Sequence, residues 1–84
     1  MIAYEGDFLN GRKHGQGTFF YSDGDKYVGS YENDEKNGYG VYYFMDTGER
    51  YEGEWLNDMK HGKGVYYSRK GDAIKGKWAN DKKI

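Results

Sequence analysis

The sequence predicts an all-β fold, an elongated antiparallel meander of stacked β-hairpins, from three observations. One pattern, Tyr-x-Gly-x-aromatic-x-Asn followed by Gly-x-Gly-x-aromatic, recurs along the 84 residues. Its copies begin at Tyr4, Tyr27, Tyr51 and Ile74, at intervals of 23, 24 and 23 residues. A fixed period of this length is typical of repeat arrays. Within each copy, large and polar residues alternate with a period of two, as in a strand with one polar face.

Each copy is expected to form one hairpin. In the third copy the first strand is Tyr51-Glu52-Gly53-Glu54-Trp55, and the second strand follows as Gly62-x-Gly64-x-Tyr66. Glycines at this frequency argue against helix, where each would cost about 1 kcal/mol. In a strand, a glycine leaves a flat patch of backbone that a neighbouring aromatic ring can cover.

The connections follow from the polar segments between these strands. Segments 11–14, 34–37 and 58–61 are expected to join the two strands of a hairpin, and turns near residues 24, 48 and 71 lead into the next copy. We therefore expect one array over residues 1–84, with copies at 4–26, 27–50 and 51–73 and a partial copy at 74–84.

Aromatic residues are expected to form the core, because the chain has ten Tyr, four Phe and two Trp and a large ring buries roughly 150–250 Å². We expect three ring ladders on one face, and part of that face should stay accessible as a groove. A helix, an extended peptide or a further array is the expected occupant, since Tyr and Trp are frequent interface anchors. The expected partner-binding residues are Tyr4, Phe8 and Phe19 with Tyr27, Tyr31 and Tyr42, followed by Tyr51, Trp55, Tyr66 and Trp78.

The fourth copy carries only the first half of the pattern. Its strand is therefore expected to present an open edge, where Ile74 and Trp78 lack a following strand. Unpaired backbone groups at such an edge can take up an added strand from a partner. We expect docking at Ile74 and Trp78.

One lysine recurs in each copy, and the four are Lys13, Lys36, Lys60 and Lys83. They are expected to form a sparse basic row along one hairpin edge. Anionic phospholipid headgroups are a candidate ligand, since each lysine near such a surface adds about 1 kcal/mol. A solvated row of turn residues is the other interpretation, because acidic residues share these segments. Nucleic acid is not expected at a formal net charge of −1.

No catalytic residues, metal ligands or cofactor are expected. The chain has no Cys, and His14 and His61 occupy equivalent positions two copies apart, about 20 Å in a regular stack. Two histidines at that distance cannot share a metal ion. No serine has a candidate base at a suitable spacing. No apolar run or leader pattern is seen, so a cytoplasmic location is expected.

The residues Tyr51-Glu52-Gly53-Glu54-Trp55-Leu56-Asn57, followed by Lys60-His61-Gly62-Lys63-Gly64, resemble a MORN repeat (membrane occupation and recognition nexus). The resemblance covers nearly the whole chain. Copy two departs from the pattern at Val28 and Ser30, and copy four departs at Ile74. A MORN array implies stacked hairpins in an elongated, often grooved sheet.

The resemblance also implies a function. MORN arrays are mostly non-catalytic scaffolding or protein-interaction modules within larger complexes, and examples occur in ciliary radial spoke heads and protist cytoskeletal structures. We therefore expect a cytoskeleton- or cilium-associated scaffold. The alternative is a phospholipid-binding or regulatory module of a larger membrane-associated protein.

Overall fold

Eight strands in chain order form one antiparallel sheet in the computed structural model, which describes residues 3–84. The expected stack of β-hairpins is confirmed, and residues 3–84 contain no helix. Residues 1 and 2 of the expected 1–84 array lie outside the described residues. The strands are β1 (Tyr4–Leu9), β2 (Arg12–Phe20), β3 (Lys26–Glu32), β4 (Glu35–Tyr43), β5 (Arg50–Leu56), β6 (Met59–Tyr67), β7 (Ala73–Ala79) and β8 (Lys82–Lys83).

Each hairpin turns in only two residues, the first of which is an asparagine. In the second hairpin Asn33 and Asp34 have φ values of 50° and 70°. Two consecutive positive φ angles define a type I′ turn, whose twist matches that of the strands. Asn-Asp recurs in the third and fourth turns, and Asn-Gly stands in the first. The predicted four-residue connections were therefore wrong, since residues 12–14, 35–37 and 59–61 belong to strands.

A bulge in each of the first three hairpins sets the position of the repeated lysines. In the second hairpin the register shifts between Gly29 and Tyr31, where two extra residues enter β4. Gly38, with a φ of 103°, lies in this bulge, and glycine is favoured there because other residues rarely adopt such a backbone. The bulge places Lys36 opposite Tyr31. The same shift places Lys13 opposite Phe8 and Lys60 opposite Trp55.

A row of glycines crosses the sheet, and tyrosine rings cover it. The members are successive register partners: Gly6, Gly17, Gly29, Gly40, Gly53, Gly64 and Gly76. A Cβ added at Gly40 would overlap the hydroxyl and ring of Tyr27. The Tyr27 hydroxyl donates to the carbonyl of Ser30 at 3.0 Å. Tyr4 and Tyr51 lie over their own glycine pairs in the same way, so the glycines provide the space that the rings fill.

The core lies on the face that carries these rings, which we call the ring face. Its buried side chains are Tyr27, Tyr31, Tyr51, Trp55 and Trp78. Seven rings form one continuous chain, with neighbouring centroids 5.0–5.4 Å apart and interplanar angles of 74–88°. In order they are Phe8, Tyr4, Tyr31, Tyr27, Trp55, Tyr51 and Trp78.

Two of the three ladders predicted from the sequence are therefore one interleaved chain of rings. One predicted ladder consists of Phe8, Tyr31, Trp55 and Trp78, and the other of Tyr4, Tyr27 and Tyr51. Each tyrosine on a glycine pair lies between two rings of the other column. This arrangement follows from the preference of aromatic pairs for edge-to-face contacts, in which a positive ring edge meets a negative ring face.

Candidate functional site

A second row of rings runs beside the core on the ring face. It contains Phe19, Tyr21, Tyr42, Phe44 and Tyr66, with neighbouring centroids 4.8–5.9 Å apart and tilted planes. The sequence predicted three of these residues and missed Tyr21 and Phe44. Each of the two lies two residues after a predicted member, so the period of two was the signal that could have found them. All five are half-buried.

Two equivalent cavities lie between this second row and the hairpin turns, and together we call them the groove. They have volumes of about 350 and 320 Å³. Lys36 and Asp58 line both, so the cavities are neighbours. The first is lined by Lys13, Phe19, Tyr21, Tyr31, Asp34, Lys36 and Asp58, and the second by Lys36, Tyr42, Phe44, Trp55, Asp58, Lys60 and Asp81. Each residue of the first cavity has its counterpart one copy later in the second.

A repeated contact, which we call the turn clamp, joins each hairpin to the next. The Asp34 carboxylate accepts the backbone N–H of Lys13 at 2.7 Å, and the Asp34 N–H donates to the Lys13 carbonyl at 3.0 Å. The hydrogen bond from the Lys13 N–H lowers the pKa of Asp34. The Lys13 Nζ also lies 3.4 Å from Asp34 Oδ1.

The turn clamp occurs three times among residues 3–84. The Asp58 carboxylate accepts the Lys36 N–H at 2.8 Å, and the Asp81 carboxylate accepts the Lys60 N–H at 2.7 Å. The corresponding Nζ–Oδ1 distances are 3.7 and 3.8 Å. The clamps therefore supply a regular series of charged pairs along the groove.

The repeated lysines do not lie on a free hairpin edge, contrary to the sequence-based expectation. The side chains of Lys13, Lys36 and Lys60 are 21%, 13% and 20% exposed, and each is ion-paired. Their ammonium groups lie over rings, with Lys36 Nζ 5.4 Å from the Trp55 centroid. Cation–π attraction makes this position on a ring-bearing strand favourable. Lys83 occupies the same column opposite Trp78 and is exposed. Lipid contact at these lysines stays a prediction.

The ten predicted partner-binding rings divide by burial. Five form the buried core, and of these Tyr31 and Trp55 also line the groove. Phe19 and Tyr42 are half-buried groove walls, while Phe8 is 60% exposed at the end of the ring chain. The remaining half-buried members are Tyr4 and Tyr66.

Acidic residues of the inter-repeat turns orient the second row. The Tyr42 hydroxyl donates to Asp25 at 2.9 Å, and the Tyr66 hydroxyl donates to Glu49 at 2.7 Å. Burial, followed by this hydrogen bond, raises the pKa of Tyr66 to about 12. Both phenols are therefore neutral donors at physiological pH.

The expected open edge is smaller than the sequence indicated. Trp78 is only 6% exposed and pairs with Lys83 of β8, and Ala79 pairs with Lys82. A hairpin forms here because Asn80-Asp81 makes the same two-residue turn as in the other copies. Ile74 is 53% exposed on the part of β7 that β8 does not cover. Docking at this edge stays a prediction.

The family comparison agrees with this geometry. A family model for the MORN repeat matches residues 4–26, 27–48 and 51–73. The chain belongs to the MORN repeat family. No curated protein sequence matches it. MORN repeats are protein- or membrane-interaction modules, so the array is an interaction module.

Residues 3–84 include no helix that is long and apolar enough to cross a membrane. Within the same range, no three or more His, Asp or Glu side chains are grouped so as to hold a metal ion.

Proposed function

We propose that this MORN array is a non-catalytic scaffolding module that binds a partner protein in the groove, within a larger cytoskeletal or ciliary assembly such as a radial spoke. The observation that carries this proposal is the repetition of one cavity in successive copies. Each cavity combines aromatic walls with a charged rim. A repeated surface suits a partner that presents the same contacts at regular intervals.

An α-helix matches the spacing of the two cavities. They are one copy apart, which is two strands, and strands lie about 4.7–4.9 Å apart, so the spacing is about 10 Å. A helix rises about 1.5 Å per residue, so residues i and i+7 are about 10.5 Å apart and lie on nearly the same face. In an extended peptide, residues i and i+3 are about 10 Å apart, and their side chains point to opposite sides. The spacing therefore favours a helix that runs across the strands.

The chemistry of the groove indicates what such a helix carries. Phe19, Tyr21, Tyr42 and Phe44 offer half-buried ring surface for apolar side chains. The clamp lysines and aspartates along the rim are already paired, so the rim adds little net charge. We propose a partner helix with apolar residues at heptad spacing and mixed charges beside them, a common mode of peptide recognition.

The absence of catalysis is part of the proposal. The titratable groups of the groove are mainly lysines and aspartates that bind each other and the backbone. A general base or nucleophile needs an unengaged group of suitable pKa beside the substrate. The cytoskeletal setting and cytoplasmic location rest on the resemblance to MORN arrays of such assemblies.

Phospholipid binding has less support in this chain. Lys13, Lys36 and Lys60 are each within ion-pair distance of an aspartate. A membrane would have to compete with these intramolecular partners, which removes most of the attraction that free lysines give.

The proposal is tested by affinity capture from an extract of the source organism with wild-type chain and two matched variants. Phe44→Ser removes a groove wall, and Tyr43→Ser removes the adjacent ring from the other face of the same sheet. The first variant is expected to lose the helical partner at least tenfold, and the second to retain it. Circular dichroism checks that both variants are folded.

Equal capture by the two variants would contradict binding in the groove. Retained proteins without any cytoskeletal or axonemal component would contradict the proposed setting. Salt-sensitive sedimentation of the wild type with phosphatidylserine vesicles, without loss in the Phe44→Ser variant, would favour the lipid alternative.

A further inference from the structure

The face opposite the ring face carries an ordered distribution of charge. One row of register partners on this face runs from an acid on β1 to a lysine on β7. Its members are Glu5, Thr18, Val28, Val41, Glu52, Val65 and Lys75. The centre of the row is mainly apolar, and the charges at its two ends have opposite signs.

A neighbouring row has the same signs of charge at its two ends, with a more polar centre. It has Asp7 on β1 and Lys77 on β7, and between them lie Gln16, Ser30, Tyr39, Glu54 and Lys63. β4 is the middle of the seven long strands, so β1 and β7 are each three strands away from it. The acidic and basic ends are therefore placed symmetrically about a central strand that carries Tyr39 and Val41.

These groups are accessible and have no ionic partner within the described chain. Glu5, Asp7, Lys75 and Lys77 are exposed, and no ion pair among residues 3–84 includes them. Tyr39 is 59% exposed. A furrow of about 490 Å³ runs between the two rows at the β7 end, with walls of Tyr39, Glu52, Val65 and lysine side chains. The Asp7 carboxylate accepts the backbone N–H of Gln16 at 3.2 Å. An exposed centre with valine and tyrosine side chains between charges without ion pairs is typical of a protein contact surface.

We propose that this opposite face binds a second copy of the chain, face to face. The two copies are related by a two-fold axis that is parallel to β4 and lies midway between the two sheets. Such an axis keeps the strand direction and reverses the strand order, so β1 lies against β7 of the second copy. Glu5 and Asp7 then face Lys75 and Lys77 of the second copy, and each contact occurs twice. Tyr39 and Val41 face their own equivalents at the centre.

Charge complementarity selects this occupant over an acidic segment of another protein. An acidic segment would match the lysines on β7 and would be repelled by Glu5 and Asp7 at the other end of the same face. A second copy matches both ends at once. A third row contains Lys26 and Arg50, which lie on the rings of Tyr43 and Tyr67. The proposed axis brings Lys26 of one copy opposite Arg50 of the other. Arg50 is also paired with Glu52 at 2.7 Å, which lowers the repulsion between these two cations.

The dimer would leave both ring faces free. Since the sheets meet through their opposite faces, the two grooves point away from each other. The pair would be a bivalent scaffold, although the dimer itself does not depend on groove binding. A contact of one sheet face is small, so we expect a dissociation constant of about 10–100 µM.

Sedimentation equilibrium of the full chain from about 10 µM to 1 mM tests the proposal with one charge pair. Glu5→Lys and Lys75→Glu are each expected to raise the dimer dissociation constant at least tenfold, because each places like charges at both symmetric contacts. Mixing the two variants is expected to restore a dimer, since one then has lysine and the other glutamate at both positions. The doubly substituted chain is expected to dimerise like the wild type.

A wild-type chain that is monomeric at about 1 mM would overturn the proposal, and so would a dimer that Glu5→Lys leaves unchanged. Failure of the mixture to dimerise, with both variants folded by circular dichroism, would overturn it as well. Raising NaCl from about 50 to 500 mM is expected to weaken the wild-type dimer, which tests the charges without any substitution. Phe44→Ser, on the ring face, is the control that retains the dimer.

Discussion

Copies two and three differ from copy four in what covers their glycines. Tyr27 and Tyr51 have no exposed surface and lie over the glycine pairs of their hairpins. In copy four the equivalent residue is Ile74, which is 53% exposed, and the side chain nearest Gly76 is the flexible end of Lys83. Both regions have the same type I′ turn and the same turn clamp. Copy four contributes one buried ring, Trp78, whereas copies two and three each contribute two. A tyrosine on its glycine pair, rather than the clamp, is therefore what gives a hairpin its second buried ring.

Alkaline pH is expected to have the largest effect, because it acts on the covered rings of the earlier copies together. Burial, followed by the charge of Glu54, raises the pKa of Tyr51 from 10.0 to about 12, and burial also raises the pKa of Tyr27 and Tyr31. The unfolded chain releases these protons first, so this stability is complete below pH 10 and is lost between about pH 10 and 12. Tyrosinate absorbance and circular dichroism are expected to change in one shared transition. Gradual titration near pH 10 with an intact spectrum would contradict burial of these rings.

A methyl group on the glycine row is expected to separate the two regions. Gly40→Ala would force Tyr27 off its glycine pair and is expected to lower the free energy of unfolding by about 3 kcal/mol or more. A Cβ at Gly76 would come within 2.8 Å of the movable Lys83 side chain and would make an ordinary 3.5 Å contact with the Trp78 ring, so Gly76→Ala is expected to change the free energy of unfolding by less than about 1 kcal/mol. Urea unfolding of both variants measures the difference, and equal losses would show that the tyrosine contact does not define the core.

Breaking one turn clamp is expected to have a smaller effect. Asp58→Gly keeps a residue that tolerates the positive φ, as Gly11 does in the first turn, but removes the carboxylate that binds Lys36. The free energy of unfolding is expected to fall by about 1–2 kcal/mol. Asp58→Asn keeps an acceptor and loses the charge, so a change of about 0.5 kcal/mol is expected for this half-exposed pair. A larger loss from Asn than from Gly would be inconsistent with the backbone hydrogen bond as the main contribution.

Supplying the missing ring is expected to have the smallest effect. Ile74→Tyr would place a ring over Gly76, with its hydroxyl near the carbonyl of Lys77, as Tyr27 bonds to Ser30. Only one glycine of the usual pair is present there among the described residues, so we expect a gain of about 0.5–1 kcal/mol in thermal unfolding experiments. A loss of stability would indicate that the fourth copy cannot accept the ring geometry of the others.

The repeat made most of the fold predictable. The period of the repeated pattern fixes the order of the strands, and the alternation of large and polar residues fixes the face of the sheet on which each side chain lies. Tyr27, Tyr51 and the glycine row were found in this way. Turn boundaries were missed because polar residues such as Lys36 were assigned to connections, whereas ion pairing with Asp58 and contact with Trp55 allow this lysine on a strand. The turn lies at Asn33 and Asp34 because these two residues adopt positive φ angles. The polarity of the segment does not show which of its residues do so.

The candidate site was less predictable. The rings of the groove were partly identified, but the cavities depend on the turn clamp, which joins residues of different copies. Phe20, Tyr39 and Tyr43 lie exposed on the opposite face, which the sequence indicated as a charged surface. The glycine pattern predicts only the rings in register with the glycines, which lie on the ring face. Tyr43 follows Tyr42 directly on β4, so alternation along the strand places it on the opposite face.

Amide hydrogen exchange along the chain tests most directly whether tyrosines on glycine pairs form the core. Because both glycine-covering rings of the centre are fully buried, amides of β3–β6 are expected to exchange most slowly and together, near the rate of global unfolding. Amides of β7 and β8 are expected to exchange at least about tenfold faster, although the clamp at Asp81 is intact. Equal protection of β7 and β5 would contradict the account, since the clamp and backbone pairing alone would then stabilise a hairpin fully.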